Sequence, residues 1–249
     1  MDADVKAVQR LSKSASFCYF SPGNQSCATR AQAPHRHTDI NNMRIGIFGG
    51  SFDPIHIGHL ILAEHCREQA ELNQVLFIPS AEAPHKVKGA FGSDRQRTEM
   101  IDLAIGGHPS FLRSSIEIER GGVSYTVDTL EQLAEQRPND DLFLMMGGDS
   151  LNGFPTWKDP QRIFELATPL VMARPGAGDV DFDLLSPLVE QTRLAEIKAL
   201  AIEAPLIDIS STAIRAAAGV DKSFRYQTPR SVERYIQTQK VYRPKPAKD

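Results

Sequence analysis

The chain has 249 residues, 41% of them hydrophobic and 24% charged, the balance of a soluble globular protein with enough apolar surface for one large core or two small ones. A formal net charge of -3 excludes a polyelectrolyte surface built for nucleic acid, so any anion site has to be local. No run approaches the roughly 18 apolar residues of a membrane span, and Cys18, Cys27 and Cys66 form neither a CxxC pair nor an even disulfide set, which points to a reducing, cytoplasmic setting.

Residues 1–42 are polar, broken by Gly and Pro, and carry no apolar period, so they read as a disordered extension or a misassigned start ahead of Met43. They lack the apolar core of a secretory signal. From residue 43 onward a single domain to residue 249 is expected. The run "RIGIF" (44–48) reads as a buried parallel strand ending in Gly49-Gly50. Residues 57–72 have helical period, "QVLFIP" (74–79) is a second strand, and 93–105 opens on a Ser cap and reads as a helix. The alternation of "SIEIE" (115–119) predicts a half-buried strand. Residues 126–137 are helical, and "DLFLMMG" (141–147) and "TPLVMAR" (168–174) are strands. "APLIDIS" (204–210) is expected as the last strand, followed by a short helix from Ser211 and a terminal helix within 228–239.

Alternation of this kind predicts an α/β fold, a Rossmann-like, doubly wound and mostly parallel sheet with helices on both faces, whose ligand lies beyond the carboxyl ends of the strands. The conspicuous polar motifs all follow strands: Gly49-Gly50-Ser51, Pro84-His85-Lys86, Gly147-Gly148-Asp149 and Ser210-Ser211-Thr212.

The stretch "GGSFDPIHIGH" (49–59) carries the most information. Glycines after a strand let backbone approach a phosphate, and the helix that follows offers free N–H groups and a positive dipole end. Neither GxGxxG nor GxxxxGK[ST] is present, so the dinucleotide and P-loop fingerprints are absent. Instead His56 and His59 stand three apart, on one helix face, with Gly58 keeping that face open. A zinc pair would need further ligands, and none is expected, so no metal site is assigned to the protein itself. Ser210 to Thr212 cap a helix with Arg215 one turn on, an arrangement suited to a second anion contact.

The string resembles the signature of the HxGH nucleotidyltransferases. Together with "PHK" (84–86), "SYTVDTL" (124–130), "GGDSLNGFPTW" (147–157), "ARPG" (173–176) and "ISSTAIR" (209–215), it is similar to bacterial nicotinate-nucleotide adenylyltransferases from Met43 to about Ile236. The resemblance implies transfer of AMP from ATP to nicotinate mononucleotide, giving nicotinate adenine dinucleotide and pyrophosphate in NAD biosynthesis. Mg²⁺ would arrive with ATP. A homo-oligomer is left open, with neither nucleic acid nor membrane as partner.

It further implies that His56, His59, Lys86 and Arg215 act on the phosphates. Gly49, Gly50, Ser51, Phe52, Gly58, Ser210, Ser211 and Thr212 would hold ATP. His85, Thr126, Asp149 and Trp157 would hold the nicotinate nucleotide. A planar pyridinium suits the face of Trp157, the sole tryptophan, through stacking and cation–π attraction. Ala83-Pro84 stands where the family often has two prolines. The glycine-bearing stretch 86–93 is expected to close over substrates. The alternatives are another HxGH adenylyltransferase, with nicotinamide mononucleotide or phosphopantetheine as acceptor, and a nucleotide-binding regulator that has lost catalysis.

Overall fold

The computed structural model describes residues 42–83, 90–173 and 180–244. Within them six strands form one parallel sheet: β1 Arg44–Gly50, β2 Gln74–Pro79, β3 Phe111–Arg113, β4 Asp141–Gly147, β5 Thr168–Ala173 and β6 Ile202–Glu203. Their order is β3-β2-β1-β4-β5-β6. The order reverses between β1 and β4, and a crevice at the carboxyl ends of those two strands is where a doubly wound sheet binds its ligand.

The pleat sorts side chains onto two faces. Ile45 and Ile47 of β1, Leu76 and Ile78 of β2, and Leu142, Leu144 and Met146 of β4 pack into one apolar cluster. There they meet helices α3 (Ile116–Arg120), α4 (Thr126–Gln136), α6 (Pro160–Leu166) and α7 (Gln191–Ala199). The alternate residues Phe48, Val75, Phe77, Phe143 and Met145 build the other cluster. It packs against α1 (Ile57–Gln69), α2 (Asp94–Ile105), α8 (Ser211–Gly219) and α9 (Arg230–Gln239). A short α5 (Gly148–Gly153) follows β4 directly. The central strands β1, β2 and β4 are thus covered on both sides, as their near-continuous apolar runs require, while Leu112 of the edge strand β3 is exposed.

Two expected strands are corrected. "SIEIE" is not a strand: Ile116–Arg120 is a turn of helix, closed by Gly121 at φ 70° with its N–H on the Glu117 carbonyl at 2.9 Å. Five residues of alternating Ile and Glu cannot separate a period of 2 from one helical turn, and the pairing strand lies just upstream at Phe111–Arg113. "APLIDIS" is not a strand either. Pairing with β5 ends at Ile202–Glu203, and Pro205 has no N–H to extend the ladder. Its alternation has another cause, a cavity wall described below.

Candidate active site

β1 delivers Gly49 and Gly50 to the carboxyl edge of the sheet, and β4 delivers Gly147 beside them. A Cβ built on Gly49 or on Gly147 would meet nothing within 4 Å, so both strand ends face open space. Gly50 has a different reason to be glycine: its Cβ would stand 3.2 Å from the ring of Phe52. That ring folds back at φ 44° and is 2% exposed, edge-on to Phe48 and His59. Phe52, expected among the ATP contacts, is therefore a core residue by its side chain and has only backbone to offer a ligand.

His56 is the N-cap of α1, and the two histidines cap each other. The His59 N–H donates to His56 Nδ1 at 3.3 Å, and the His56 N–H donates to His59 Nδ1 at 3.1 Å. The rings stack with centroids 3.6 Å apart and planes 22° from parallel. Both Nδ1 atoms are acceptors, so neutral rings carry their protons on Nε2. Burial holds His56 down at about 4. Burial, and then the neighbouring His56, hold His59 well below the usual histidine value. Near neutral pH the pair is two uncharged N–H donors.

Gly58 permits this packing. A Cβ there would sit 3.1 Å from His56 Cε1 and Nδ1, and 3.3 Å from Ile207 Cγ2.

Across from the pair runs the segment misread as a strand. Pro205, Ile207 and Ile209 line a cavity of about 200 Å³ together with His56, His59 and Ser210. The alternation belongs to an extended wall over the histidines. The wall leads into α8, whose N-cap Ser210 accepts from the Ala213 N–H at 3.2 Å. The Ser211 hydroxyl donates to the Pro54 carbonyl at 2.8 Å, tying α8 to the loop before α1. Arg215 donates to the Asp53 carbonyl at 2.6 Å and to the Thr212 hydroxyl at 3.0 Å, with its guanidinium over the Phe91 ring at 4.6 Å. Two helix N-termini, two imidazole donors and one arginine thus converge where the strands end.

A second group gathers on the α4 side. Glu82 bridges to Val123, and Ser124 Oγ accepts from the Ala81 N–H at 2.9 Å, so the segment after β2 runs beside Thr126, the first residue of α4. Burial pushes the Glu117 carboxyl up, against the hydrogen bond it accepts from Thr129 at 2.8 Å. Trp157 is half-buried, 5.1 Å from the Phe154 ring, at the end of the short turn that follows α5. Its neighbour Lys158 donates to Asp128 at 2.7 Å and lies over the Tyr125 ring at 4.8 Å, joining this turn to α4. Asp149 is exposed in the first turn of α5. His85 and Lys86 lie outside the described residues, as does Gly89; Phe91 and Gly92 donate to the Asp53 carboxylate at 2.7 and 3.0 Å.

Residues 47–217 match the family described as cytidylyltransferase-like. A "Probable nicotinate-nucleotide adenylyltransferase" of Roseiflexus castenholzii is 46% identical over 202 residues, 80% of this chain and 98% of that relative. A protein of the same name from Thermus thermophilus is 42% identical over 81% of this chain and 100% of its own length. The chain belongs to the nicotinate-nucleotide adenylyltransferase family. The fold agrees: the structure of Plasmodium falciparum nicotinic acid mononucleotide adenylyltransferase complexed with NaAD superposes with a TM-score of 0.61 at 15% identity, covering 81% of this chain and 98% of that one.

Several residues of this adenylyltransferase site escaped the sequence reading. Arg97 is fully buried on α2, donating to the Ser51 and Ser80 carbonyls at 2.9 and 2.6 Å and to Asp94 at 2.6 Å. A signal existed, since Arg97 opens the stripe Arg97, Met100, Ile101, Ile105 that α2 buries. An arginine in line with an apolar stripe has to find acceptors inside. Asp53 and Tyr242 escaped too, because their partners are 38 and 189 residues away in sequence.

Proposed function

We propose that the protein transfers AMP from ATP to nicotinate mononucleotide, releasing pyrophosphate and forming nicotinate adenine dinucleotide. The observation that carries this reading is the reciprocally capped pair His56 and His59, facing one cavity with the α8 N-terminus. The nucleophile is a phosphate oxygen of the mononucleotide, anionic at neutral pH, so no general base is needed. It attacks the α-phosphorus of ATP while the bond to the bridging oxygen of pyrophosphate breaks. Charge builds on the α-phosphoryl oxygens and the departing pyrophosphate, and fixed donors in a partly dehydrated site act on that charge most strongly.

His56 and His59 donate Nε2–H to the phosphates, and being neutral they pay little of the desolvation that burying two imidazoliums would cost. Arg215 and the α8 N-terminus, with Ser210, Ser211 and Thr212, hold the β- and γ-phosphates. Gly49, Gly50, Ser51 and the Phe52 backbone cradle the triphosphate from the β1 end, and the family resemblance adds Lys86 to the phosphate contacts and His85 to those of the acceptor nucleotide. Trp157, Thr126 and Asp149 take the acceptor nucleotide. Mg²⁺ would arrive with the ATP substrate, and the donors at this site are N–H groups and hydroxyls, which suit phosphate. A cytoplasmic setting suits Cys66, a buried free thiol pushed up to about 12 by burial. No helix among the described residues is long and apolar enough to cross a membrane.

The test is pyrophosphate release with ATP and Mg²⁺, comparing nicotinate mononucleotide with its amide counterpart, and His59→Ala as control. Release with the nicotinate form, lost in the control, is expected. Equal use of both acceptors would remove the carboxylate preference, and no release with either would overturn the reading.

A further inference from the structure

Asp53 is 2% exposed, and its carboxylate joins three separate parts of the chain. It accepts from the Phe91 and Gly92 N–H groups at 2.7 and 3.0 Å, and from the Tyr242 hydroxyl at 2.8 Å. Its own carbonyl accepts from Arg215 at 2.6 Å, and its neighbour Pro54 takes the hydroxyl of Ser211. One residue thus ties together the segment before His56, Arg215 and the Phe91-Gly92 segment.

Of the partners on the Asp53 side chain, Tyr242 alone lies outside the cytidylyltransferase-like region, which ends at residue 217. It arrives from beyond α9, after Lys240 turns the chain at φ 51°. The Gly92 side of the contact is tight: a Cβ there would stand 2.9 Å from Asp53 Oδ1 and 3.7 Å from Val241 Cγ1, so the C-terminal segment closes over this junction. The Tyr242 ring packs against the core and also borders a cavity of about 300 Å³ lined by Phe224, Ile236, Lys240 and Arg243. Burial and the adjacent Asp53 carboxylate push its phenol far above the ordinary tyrosine value, so it remains a proton donor throughout the working range.

We infer that Tyr242 is a positioning residue for phosphate binding, acting through Asp53 to hold the loop before His56, Arg215 and the Phe91-Gly92 segment in one geometry. The C-terminal segment is then a working part of the site. The inference rests on the reading of that site as an ATP site.

The experiment pairs Tyr242→Phe with Asp53→Asn and the double variant, reading Kd for ATP by calorimetry, kcat and KM for both substrates, and the melting temperature. Tyr242→Phe keeps the ring and removes one hydrogen bond to a charged acceptor, an interaction whose loss is expected to weaken ATP binding about tenfold. KM for the acceptor nucleotide should stay near wild type, and the melting temperature should fall by no more than the several degrees that one hydrogen bond accounts for. In the Asp53→Asn background the phenol has only a neutral amide oxygen to donate to, so the same change should cost about twofold or less. An unchanged ATP affinity in Tyr242→Phe, a loss that comes with a larger fall in melting temperature, or full additivity in the double variant would each overturn the inference. Should the wild type bind ATP without releasing pyrophosphate, the reaction assignment fails while the ATP measurement still decides the role of Tyr242.

Discussion

Arg97 donates Nη1 to the carbonyl of Ser51 at 2.9 Å, so the loop after β1 is fastened by a guanidinium with no solvent exposure. The same cation reaches the Ser80 carbonyl, joining the ends of β1 and β2. Arg215 takes the carbonyl of Asp53 two residues further along. With these carbonyls engaged, the loop between them has a fixed set of peptide orientations to present to phosphate. Arg97→Met keeps much of the volume and leaves the buried acceptors without their donor, a loss of about 3 kcal/mol in unfolding free energy. Urea denaturation should read it as a lower midpoint at unchanged slope, and KM for ATP in the surviving folded enzyme should rise.

His56 has two duties that a pair of variants can separate. Its Nδ1 caps α1, and its ring lines the cavity. Asparagine is also a good cap, so His56→Asn should stay within about 0.5 kcal/mol of wild type while losing most activity. His56→Ala loses the cap as well and should cost about 1–2 kcal/mol. Denaturant midpoints set against kcat for the two variants give the comparison. Equal stability losses would mean that the cap contributes nothing.

Trp157 offers a direct optical handle, as the only tryptophan in the chain. It is half-buried beside Phe154, so part of its surface remains for a ligand. Nicotinate mononucleotide should change its fluorescence saturably, and ATP alone should change it little. Stacking on a cationic ring contributes on the order of 1 kcal/mol, so Trp157→Ala should raise KM for the acceptor roughly fivefold to tenfold while KM for ATP holds.

The parallel sheet and its glycine-terminated strands were legible because β1, β2 and β4 are buried on both faces, which leaves continuous apolar runs in the sequence. The HxGH pair was legible because its function is local, two rings on one helix turn. What failed was of two kinds. Residues 115–119 and 204–210 both alternate, yet one is a helical turn around the buried Glu117 and the other an irregular wall above the histidines. Alternation reports which side is covered, and it is silent on whether the covering element is a sheet. Asp53 and Tyr242 were missed because each does its work through long-range hydrogen bonds, and one sequence carries no mark of a partner up to 189 residues distant, whereas Arg97 was marked only by its place in the apolar stripe of α2.

Gly58 tests how closely the site depends on ring packing. Alanine in place of a helical glycine ordinarily adds up to about 1 kcal/mol of helix stability. Here the new Cβ would meet His56 ring atoms at 3.1 Å, and the ring must move to accommodate it. The two effects oppose one another in stability and not in catalysis. Gly58→Ala should therefore melt within a few degrees of wild type and lose at least about tenfold in kcat, the cost of misaligned donors in a preorganised site. Normal turnover would mean that the His56 orientation is not critical.

The pH dependence of stability follows from the same rings. Burial holds His56 at about 4 in the folded protein, against about 6.5 in the unfolded chain. Above 6.5 both states are neutral and His56 contributes no slope. Between 6.5 and 4 the unfolded chain binds a proton that the folded state refuses, so the unfolding free energy falls as the pH falls through that window. Below 4 both states are protonated and the loss levels off. At about 1.4 kcal/mol per pKa unit, His56 accounts for a loss on the order of 3 kcal/mol, and His59 adds to it in the same direction. Urea midpoints for wild type and His56→Asn should agree near pH 7.5 and separate by pH 4.5, with the asparagine variant the more stable of the two. Activity has a reason to follow the same window, because protonation at Nδ1 would leave that atom unable to accept its partner's backbone N–H. Parallel acid slopes in the two proteins would mean that the imidazole titrates as freely in the folded state as in the unfolded one, and that the neutral-donor account of the site is wrong.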